Sequence, residues 1–109
     1  AVRDDSITAE GTIDIQTLEL NQIFDLDKYD LRDSLFVFEN LYPASRYLIK
    51  GEHTKLIISQ DCEAIFFNNK ALYQKLNKNT SVTLLGRLDV NYFRGRHKKQ
   101  IIIDDYFIK

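Results

Sequence analysis

Residues 82–108, VTLLGRLDVNYFRGRHKKQIIIDDYFI, decide the fold of this chain. Apolar side chains alternate with polar ones on both sides of a short basic connection, which predicts two half-buried strands joined as a hairpin. Gly95 gives the tip the backbone freedom that a tight turn requires, and Gly86 inside the first strand indicates a bulge or sharp bend. A long, bent hairpin is typical of a small barrel. The side chains predicted on its buried face are Val82, Leu84, Leu88, Val90, Ile101, Ile103 and Phe107.

Three further strands and one helix are predicted upstream of this hairpin. Period-two alternation in HTKLIIS directs Leu56 and Ile58 to the core and His53 and Lys55 to the outside. A turn at Gly51 and Glu52 precedes that strand. The predicted strands cover residues 34–49, with a kink at Pro43, then 53–59 and 62–68, and the helix covers residues 70–76 and is capped by Asn68 or Asn69.

The order of these elements predicts a mainly β fold of a particular kind. Three strands, a short helix and two more strands form the OB-fold, a five-stranded Greek-key barrel whose single helix lies between strands three and four. We therefore predict an OB-fold domain at residues 35–109. An acidic, partly helical lead-in precedes it at residues 1–34, with a strand-like stretch around residues 7–15.

Length and composition favour one soluble domain. A chain of 109 residues with 44% hydrophobic content buries one modest core. No apolar run reaches the roughly 18 residues that a membrane-spanning helix needs, so we expect a soluble, cytoplasmic protein without a membrane partner. Cys62 has no second cysteine to pair with, which suits a reducing compartment, and its apolar surroundings predict a buried, inert thiol.

Charge is divided unevenly along the chain. Residues 1–40 carry ten acidic and three basic side chains, whereas residues 41–109 carry six acidic and twelve basic ones. Within residues 87–100 there are five cations and one acid. Such a basic patch attracts phosphates, although a solvated turn also carries charge.

The predicted fold indicates where a ligand would bind. In OB-folds the second and third strands, together with the loops between strands one and two and between strands four and five, bind oligonucleotides. Here those loops are predicted at residues 50–53 and 91–99. Aromatic rings there would stack on bases while cations neutralise phosphates, and Tyr92 is expected to be more exposed than Phe93, which would either enter the barrel end or stack as well. The candidate nucleic-acid-binding residues are His53, Lys55, Arg87, Tyr92, Phe93, Arg94, Arg96, Lys98 and Lys99.

The sequence offers no arrangement of catalytic or metal-binding residues. His53 and His97 lie 44 positions apart without an acidic partner at ligand spacing. Asp104 and Asp105 are adjacent, so on a strand they point to opposite faces, and one of them is expected to cap backbone groups. We therefore predict no catalytic residue, no metal site and no enzymatic activity for this chain.

The run GRLDVNYFRGRHKKQIIIDD resembles the C-terminal OB domain of RecJ-type single-strand-specific DNA exonucleases. The resemblance extends upstream through GEHTKL and AIFFN and covers about residues 35–107. The family's Pro-Phe-Gly and Gly-Asn-Pro elements are missing where this chain has KYDLRD, which suggests a diverged member. The matching residues of the first run are Gly86, Asn91, Phe93, Gly95, Gln100 and Asp105.

The resemblance implies a binding module of a larger nuclease. RecJ-type enzymes degrade single-stranded DNA from the 5′ end with manganese or magnesium held in an upstream core, and the Asp-His-His motif of that core is missing here. This chain would then hold single-stranded DNA for the core and need no cofactor of its own. Alternatives are a barrel that docks onto the parent enzyme's core or a single-strand-binding protein, and an anticodon-type barrel that binds RNA. The sequence alone leaves DNA and RNA equally open.

Overall fold

The computed structural model describes residues 11–12, 34–77 and 80–108, apart from the side chains of Gly11, Thr12 and Phe93. The predicted helical part of the lead-in, and all of its strand-like stretch except residues 11–12, lie outside the described residues. The helix α1 covers Ala71–Lys75. The strands are β1 (Gly11–Thr12), β2 (Phe36–Leu41), β3 (Ser45–Ile49), β4 (His53–Ser59), β5 (Cys62–Phe66), β6 (Val82–Phe93) and β7 (Arg96–Ile108).

These strands form one sheet in the order β1-β2-β6-β7-β5-β4-β3. The pairs β1–β2 and β5–β7 are parallel, and the remaining pairs are antiparallel. Strands β2 and β3 are the two halves of the predicted first strand, broken at residues 42–44 around Pro43. Taken as one strand, they complete the order of an OB-fold, with α1 where it was predicted. Hydrogen bonds between the described strands do not close the sheet, so the closed five-stranded barrel remains a prediction.

The core lies on the inner face of this sheet and under the helix. Burial alternates strictly along β4, where Leu56 and Ile58 are buried as predicted. Each fully buried Leu contributes about 1.5–3 kcal/mol of transfer free energy, and Leu72 of α1 belongs to the same cluster. The completely buried core residues include Phe38, Leu56, Ala64, Leu72, Leu84 and Ile101.

The helix is fixed to β4 by a buried hydroxyl. Asn69 Oδ1 accepts a hydrogen bond from Leu72 N at 3.2 Å, so the predicted asparagine satisfies an N–H group of the first turn. The N-cap position itself is occupied by Lys70, whose side chain makes no cap hydrogen bond. Thr54 Oγ1 donates to Asn69 O at 2.6 Å and accepts from Tyr73 N at 3.2 Å. Because Thr54 is fully buried, these bonds satisfy polar groups that would otherwise be costly. No helix in the described part of the chain is long and apolar enough to cross a membrane.

A β-bulge bends the long hairpin at Gly86. Leu85 pairs with Asp105 and Gly86 with Ile103, which leaves Asp104 as an extra residue in β7. A Cβ atom on Gly86 would lie 2.4 Å from Ile102 O, so the close approach of the two strands requires glycine.

The same bulge reverses the alternation of the last residues of β7. Phe107 was predicted on the buried face, but its side chain is 45% exposed. Tyr106 and Ile108 pack against the core instead. The prediction for Phe107 was wrong because one inserted residue moves every later side chain of a strand to the other face.

Candidate nucleic-acid interface

The side chains that alternate with the core form the outer face of the sheet. One row of this face crosses five strands through directly paired residues. It contains an aromatic ring, two cations and two half-buried isoleucines, in the order Tyr47, Lys55, Ile65, Ile102 and Arg87. Strands β4 and β5 at the centre correspond to the second and third strands of an OB-fold, where oligonucleotides bind.

A buried carboxylate lies at the centre of the outer face. Glu63 of β5 is 3% exposed. Its Oε2 lies 2.9 Å from Lys55 Nζ. Its Oε1 accepts hydrogen bonds from Asn91 Nδ2 at 3.2 Å and from Gln100 Nε2 at 3.3 Å. These four residues, here called the Glu63 network, connect β4, β5, β6 and β7.

The network keeps its carboxylate ionised. Burial by itself raises the pKa of Glu63, but the hydrogen bonds from Lys55 and Asn91 and the charges of Lys55 and Lys98 outweigh it, so the net pKa is lowered. A carboxylate accepts hydrogen bonds and donates none, so both amides turn their NH₂ groups toward Glu63 and keep their carbonyl oxygens for other partners.

Lys55 lies on the predicted outer side of β4, and its predicted contact with nucleic acid stays a prediction. Its ammonium is bound to Glu63, and its side chain is one third exposed. His53 is also on this face and is half-buried. Its Nδ1 accepts a hydrogen bond from Asn68 N at 2.8 Å, so its neutral ring carries the proton on Nε2.

Two exposed aromatic residues of this face were missed in the sequence. Tyr47 of β3 is 54% exposed and Phe67, just after β5, is 51% exposed. The ring of Phe67 meets that of His53 edge-on at 5.5 Å between centroids. Tyr47 pairs directly with Lys55 across the β3–β4 hairpin. Had that register been assumed, the outward side of Lys55 would have placed Tyr47 on the outer face as well.

The predicted loop at residues 91–99 is wrong, because the two strands continue through most of it. The turn consists of Arg94 and Gly95, with β6 ending at Phe93 and β7 beginning at Arg96. Both turn residues have positive φ, +51° and +76°, as a two-residue type I′ turn requires. The loop predicted at residues 50–53 is one residue shorter, since His53 belongs to β4.

The predicted cations separate into different environments. Arg94 and Arg96 are exposed at the hairpin tip, and Lys98 is half-buried beside Asn91 on the outer face. Lys99 was predicted to contact a ligand, but it is 9% exposed and pairs with core residues Cys62 and Val90 on the other side of the sheet. Lys99 therefore lies outside the outer face.

Arg87 completes the row described above. Its Nε lies 3.8 Å from Asp104 Oδ2, and both side chains are about 40% exposed. At that separation and exposure the ion pair is weak. Arg87 thus places a weakly paired cation at the β6 side of the face.

Tyr92 is exposed, as predicted, and its ring contacts that of its cross-strand partner at a tilt. Its ring lies 4.9 Å from that of His97, with 57° between the planes. Tyr92 alternates in phase with Val90, so it lies on the opposite side of the hairpin from Asn91 and the Glu63 network. The Phe93 side chain lies outside the described part of the structure, and the prediction for it stays a prediction.

The remaining titratable residues that drew attention in the sequence have local partners. Burial raises the pKa of the Cys62 thiol to about 11, against the opposing charge of Lys99, as expected for a buried cysteine. Asp105 Oδ1 accepts a hydrogen bond from Tyr106 N at 2.8 Å, which matches the predicted backbone cap. Within the described residues no three His, Cys, Asp or Glu side chains come together as a metal site would need.

Strand order, helix position and outer face together define an OB-fold protein. Residues 11–105 match the family model described as the RecJ OB domain, and the chain belongs to this family. The match confirms the resemblance noted in the sequence. It also begins inside the predicted lead-in, where β1 joins the sheet beside β2.

Two solved structures with a similar fold belong to an aminoacyl-tRNA synthetase. Asparaginyl-tRNA synthetase of Entamoeba histolytica aligns with 93% of this chain at a TM-score of 0.57 and 14% identity, over 23% of the synthetase chain. Its complex with asparaginyl-adenylate aligns with a TM-score of 0.59 and 12% identity, covering 93% of this chain and 24% of the other. The chain thus spans about a quarter of these synthetases. A comparison with curated protein sequences gives no match.

Proposed function

We propose that this chain is the single-stranded-DNA-binding module of a RecJ-type 5′–3′ exonuclease and holds the strand for a catalytic core elsewhere in the parent protein. The observation that carries the proposal is the outer face of the sheet. It combines exposed Tyr47 and Phe67 with half-buried apolar side chains on the strands that OB-folds use for oligonucleotides. Membership of the RecJ OB domain family supports the nuclease assignment.

The chemistry of the face favours one arrangement of the DNA. Bases would stack on Tyr47 and Phe67, each worth about 1–3 kcal/mol. Lys55 is already paired with Glu63, so the phosphates would contact Arg96 and Lys98, which lie on β7 toward the tip of the β6–β7 hairpin. The amide oxygens of the Glu63 network would then accept hydrogen bonds from the amino groups of bases.

In this proposal the chain binds DNA and performs no chemical step. Manganese or magnesium would belong to the exonuclease core, and this chain would contribute no ligand to it. Its partners would be single-stranded DNA, the core itself and a single-strand-binding protein.

The test is fluorescence anisotropy of labelled single-stranded DNA, single-stranded RNA and duplex DNA against the chain at two salt concentrations. We expect Tyr47→Ala and Phe67→Ala each to weaken single-stranded DNA binding by about 1–3 kcal/mol without moving the unfolding midpoint. Tyr42→Ala is the matched control, because Tyr42 is at least as exposed but lies in the β2–β3 connection and not on a strand of the outer face. Equal losses for Tyr42 and Tyr47 would contradict the proposed surface.

A second arm tests the electrostatic contribution. Arg96→Ala and Lys98→Ala should each reduce the slope of log affinity against log salt by about 0.7 for every phosphate that the side chain neutralises. Lys75→Ala, on α1, removes the same charge away from the outer face and should leave the slope unchanged. A wild-type chain with flat titrations at low salt would overturn DNA binding and favour docking onto the core.

A further inference from the structure

The strand β3 lies at the edge of the sheet and one of its sides is unprotected. Among the described strands it is the last in the order, and it pairs there with β4 alone. Edge strands are usually protected from further pairing by a bulge, a proline, a lysine or an inward charge. The β3–β4 register runs without a bulge, and four of the five residues of β3 are exposed, including Tyr47 at 54% and Leu48 at 37%. The free side of β3 can therefore accept another strand.

The single charged residue of β3 is already engaged within the chain. Arg46 Cζ lies 5.0 Å from the centroid of the Tyr73 ring of α1, which is the distance of a cation–π contact. An acidic strand from another protein would therefore find little free positive charge between residues 45 and 49. The sequence of this edge, Ser-Arg-Tyr-Leu-Ile, instead favours a partner strand that is largely apolar.

A groove opens at one end of the same edge. It has a volume of about 270 Å³ and lies between the start of β3 and the end of α1, with Pro43 and Arg46 on one side and Leu76 on the other. Arg46 and Leu48 are two residues apart on a strand, so they face the same side. Leu48 is thus an exposed apolar side chain on the groove side of β3, away from the outer face.

The sequence of β3 allows a two-fold antiparallel pairing with a second copy of itself. Directly paired residues face the same side of a sheet, and like charges opposite each other destabilise the pair. A pairing centred on Arg46 opposes the two guanidiniums, and one centred on Leu48 opposes Arg46 and Lys50. Centres at either end of β3 leave most of the strand unpaired. A pairing centred on Tyr47 avoids all three faults, and it places Leu48 of each copy opposite Arg46 of the other, beside the groove that Arg46 lines.

We propose that β3 is a dimerisation strand, which pairs antiparallel with β3 of a second copy of this chain about a two-fold axis at Tyr47. Main-chain hydrogen bonds then satisfy the free N–H and C=O groups of both edges. Leu48 of each copy packs into the groove of the other against Pro43 and Leu76, and the two Tyr47 rings form a cross-strand aromatic pair. One strand and one groove on each side make a small interface, so the dimer is weak and depends on concentration. It forms without a ligand, so its tests are independent of DNA binding.

Sedimentation equilibrium at increasing chain concentrations tests whether the dimer exists. We expect the apparent mass to rise from 12.8 kDa, the mass of one chain, toward twice that value. Leu48→Asp should weaken association by about tenfold or more, because pairing would bury an unpaired carboxylate in each groove. Phe107→Asp is the matched control, since Phe107 is 45% exposed but lies on β7, and this variant should associate like the wild type. The mass of a single chain at every concentration, or equal weakening by the two variants, would overturn the dimer and leave β3 to a strand from a different protein.

Disulfide cross-linking tests the two-fold axis and decides the matter if Leu48→Asp lowers the urea midpoint of unfolding. Tyr47→Cys places two thiols directly opposite each other, where paired Cα atoms are about 4.5–5.5 Å apart and within reach of a disulfide. Under mild oxidation this variant should form a covalent dimer. Tyr42→Cys, at an exposed position outside β3, should stay a single chain. The native Cys62 is buried and does not compete.

The same assay reads the register of the pair. Ser45 of one copy lies opposite Ile49 of the other when the axis is at Tyr47. A mixture of Ser45→Cys and Ile49→Cys chains should therefore form mixed disulfide dimers, while each variant alone should not. Cross-linking of Ser45→Cys with itself, or equal cross-linking of Tyr47→Cys and Tyr42→Cys, would overturn the proposed pairing.

Discussion

Replacing Lys55 with alanine should destabilise the fold as well as weaken DNA binding. In the sequence Lys55 is a strand cation facing outward, whose removal would affect only a ligand. In the structure its ammonium lies 2.9 Å from the carboxylate of Glu63, whose side chain is 4% exposed. Removing Lys55 leaves an ionised carboxylate held by two neutral amides.

The size of the destabilisation depends on how deeply each partner of the Lys55–Glu63 ion pair is buried. Removing one partner of a fully buried ion pair costs about 3–5 kcal/mol. The Lys55 side chain is one third exposed, so water replaces part of the interaction, and the loss should approach that of a charged hydrogen bond, about 1.5–3 kcal/mol. For a chain of this size about 2 kcal/mol lowers the melting temperature by about 8 °C.

A double-mutant cycle with urea unfolding checks this reasoning. Glu63→Gln keeps an acceptor for Asn91 and Gln100 but removes the buried charge. In that background Lys55→Ala should cost less than about 1 kcal/mol. An unchanged midpoint for Lys55→Ala, or an equal cost in both backgrounds, would refute the account of the Glu63 network.

Three further predictions concern the bulge, acid stability and the hairpin. Gly86→Ala should lower the free energy of unfolding in urea by about 1–3 kcal/mol, because the added Cβ would meet Ile102 O at 2.4 Å. A variant as stable as the wild type would show that β6 and β7 can move apart at the bulge without cost. The pKa of Glu63 is lowered from its ordinary 4.5, so its stabilisation is present above pH 4.5 and lost as pH falls through the lower folded value. Unfolding midpoints measured against pH should therefore fall less steeply for Glu63→Gln than for wild type, and parallel curves would contradict this. Tyr92→Ala should leave the midpoint unchanged and cost less affinity than Tyr47→Ala in anisotropy, since Tyr92 lies on the other side of the hairpin; the reverse ranking would move the binding surface to that side.

The ends of β6 and β7 at the hairpin tip could not be predicted from the sequence. Residues 91–99 carry aromatic and charged side chains without a buried alternation, which suggested a loop. Cross-strand backbone hydrogen bonds are indifferent to side-chain polarity, so β6 and β7 continue to the two-residue turn. Lys99, predicted to contact nucleic acid from the loop, instead continues β7, pairs with Cys62 and is buried.

The candidate site illustrates a second limit. Glu63 is 28 residues from Asn91 and 37 from Gln100 in sequence. Nothing in local spacing joins them, although both amides belong to the family motif noted in the sequence. The parallel pairing of β5 with β7 brings Gln100 directly beside Glu63, and β6 then supplies Asn91.

The element order, the buried face of β4, the contact of Asn69 with the first turn of the helix and the burial of Cys62 could be predicted locally, because alternation, turn residues and capping act over a few neighbouring positions. Which outward side chains share a surface follows from the pairing of the strands. The bulge at Gly86 set the face of Phe107, and the strand order assembled the Glu63 network. Those relations depend on pairing between strands distant in sequence, which local periodicity does not encode.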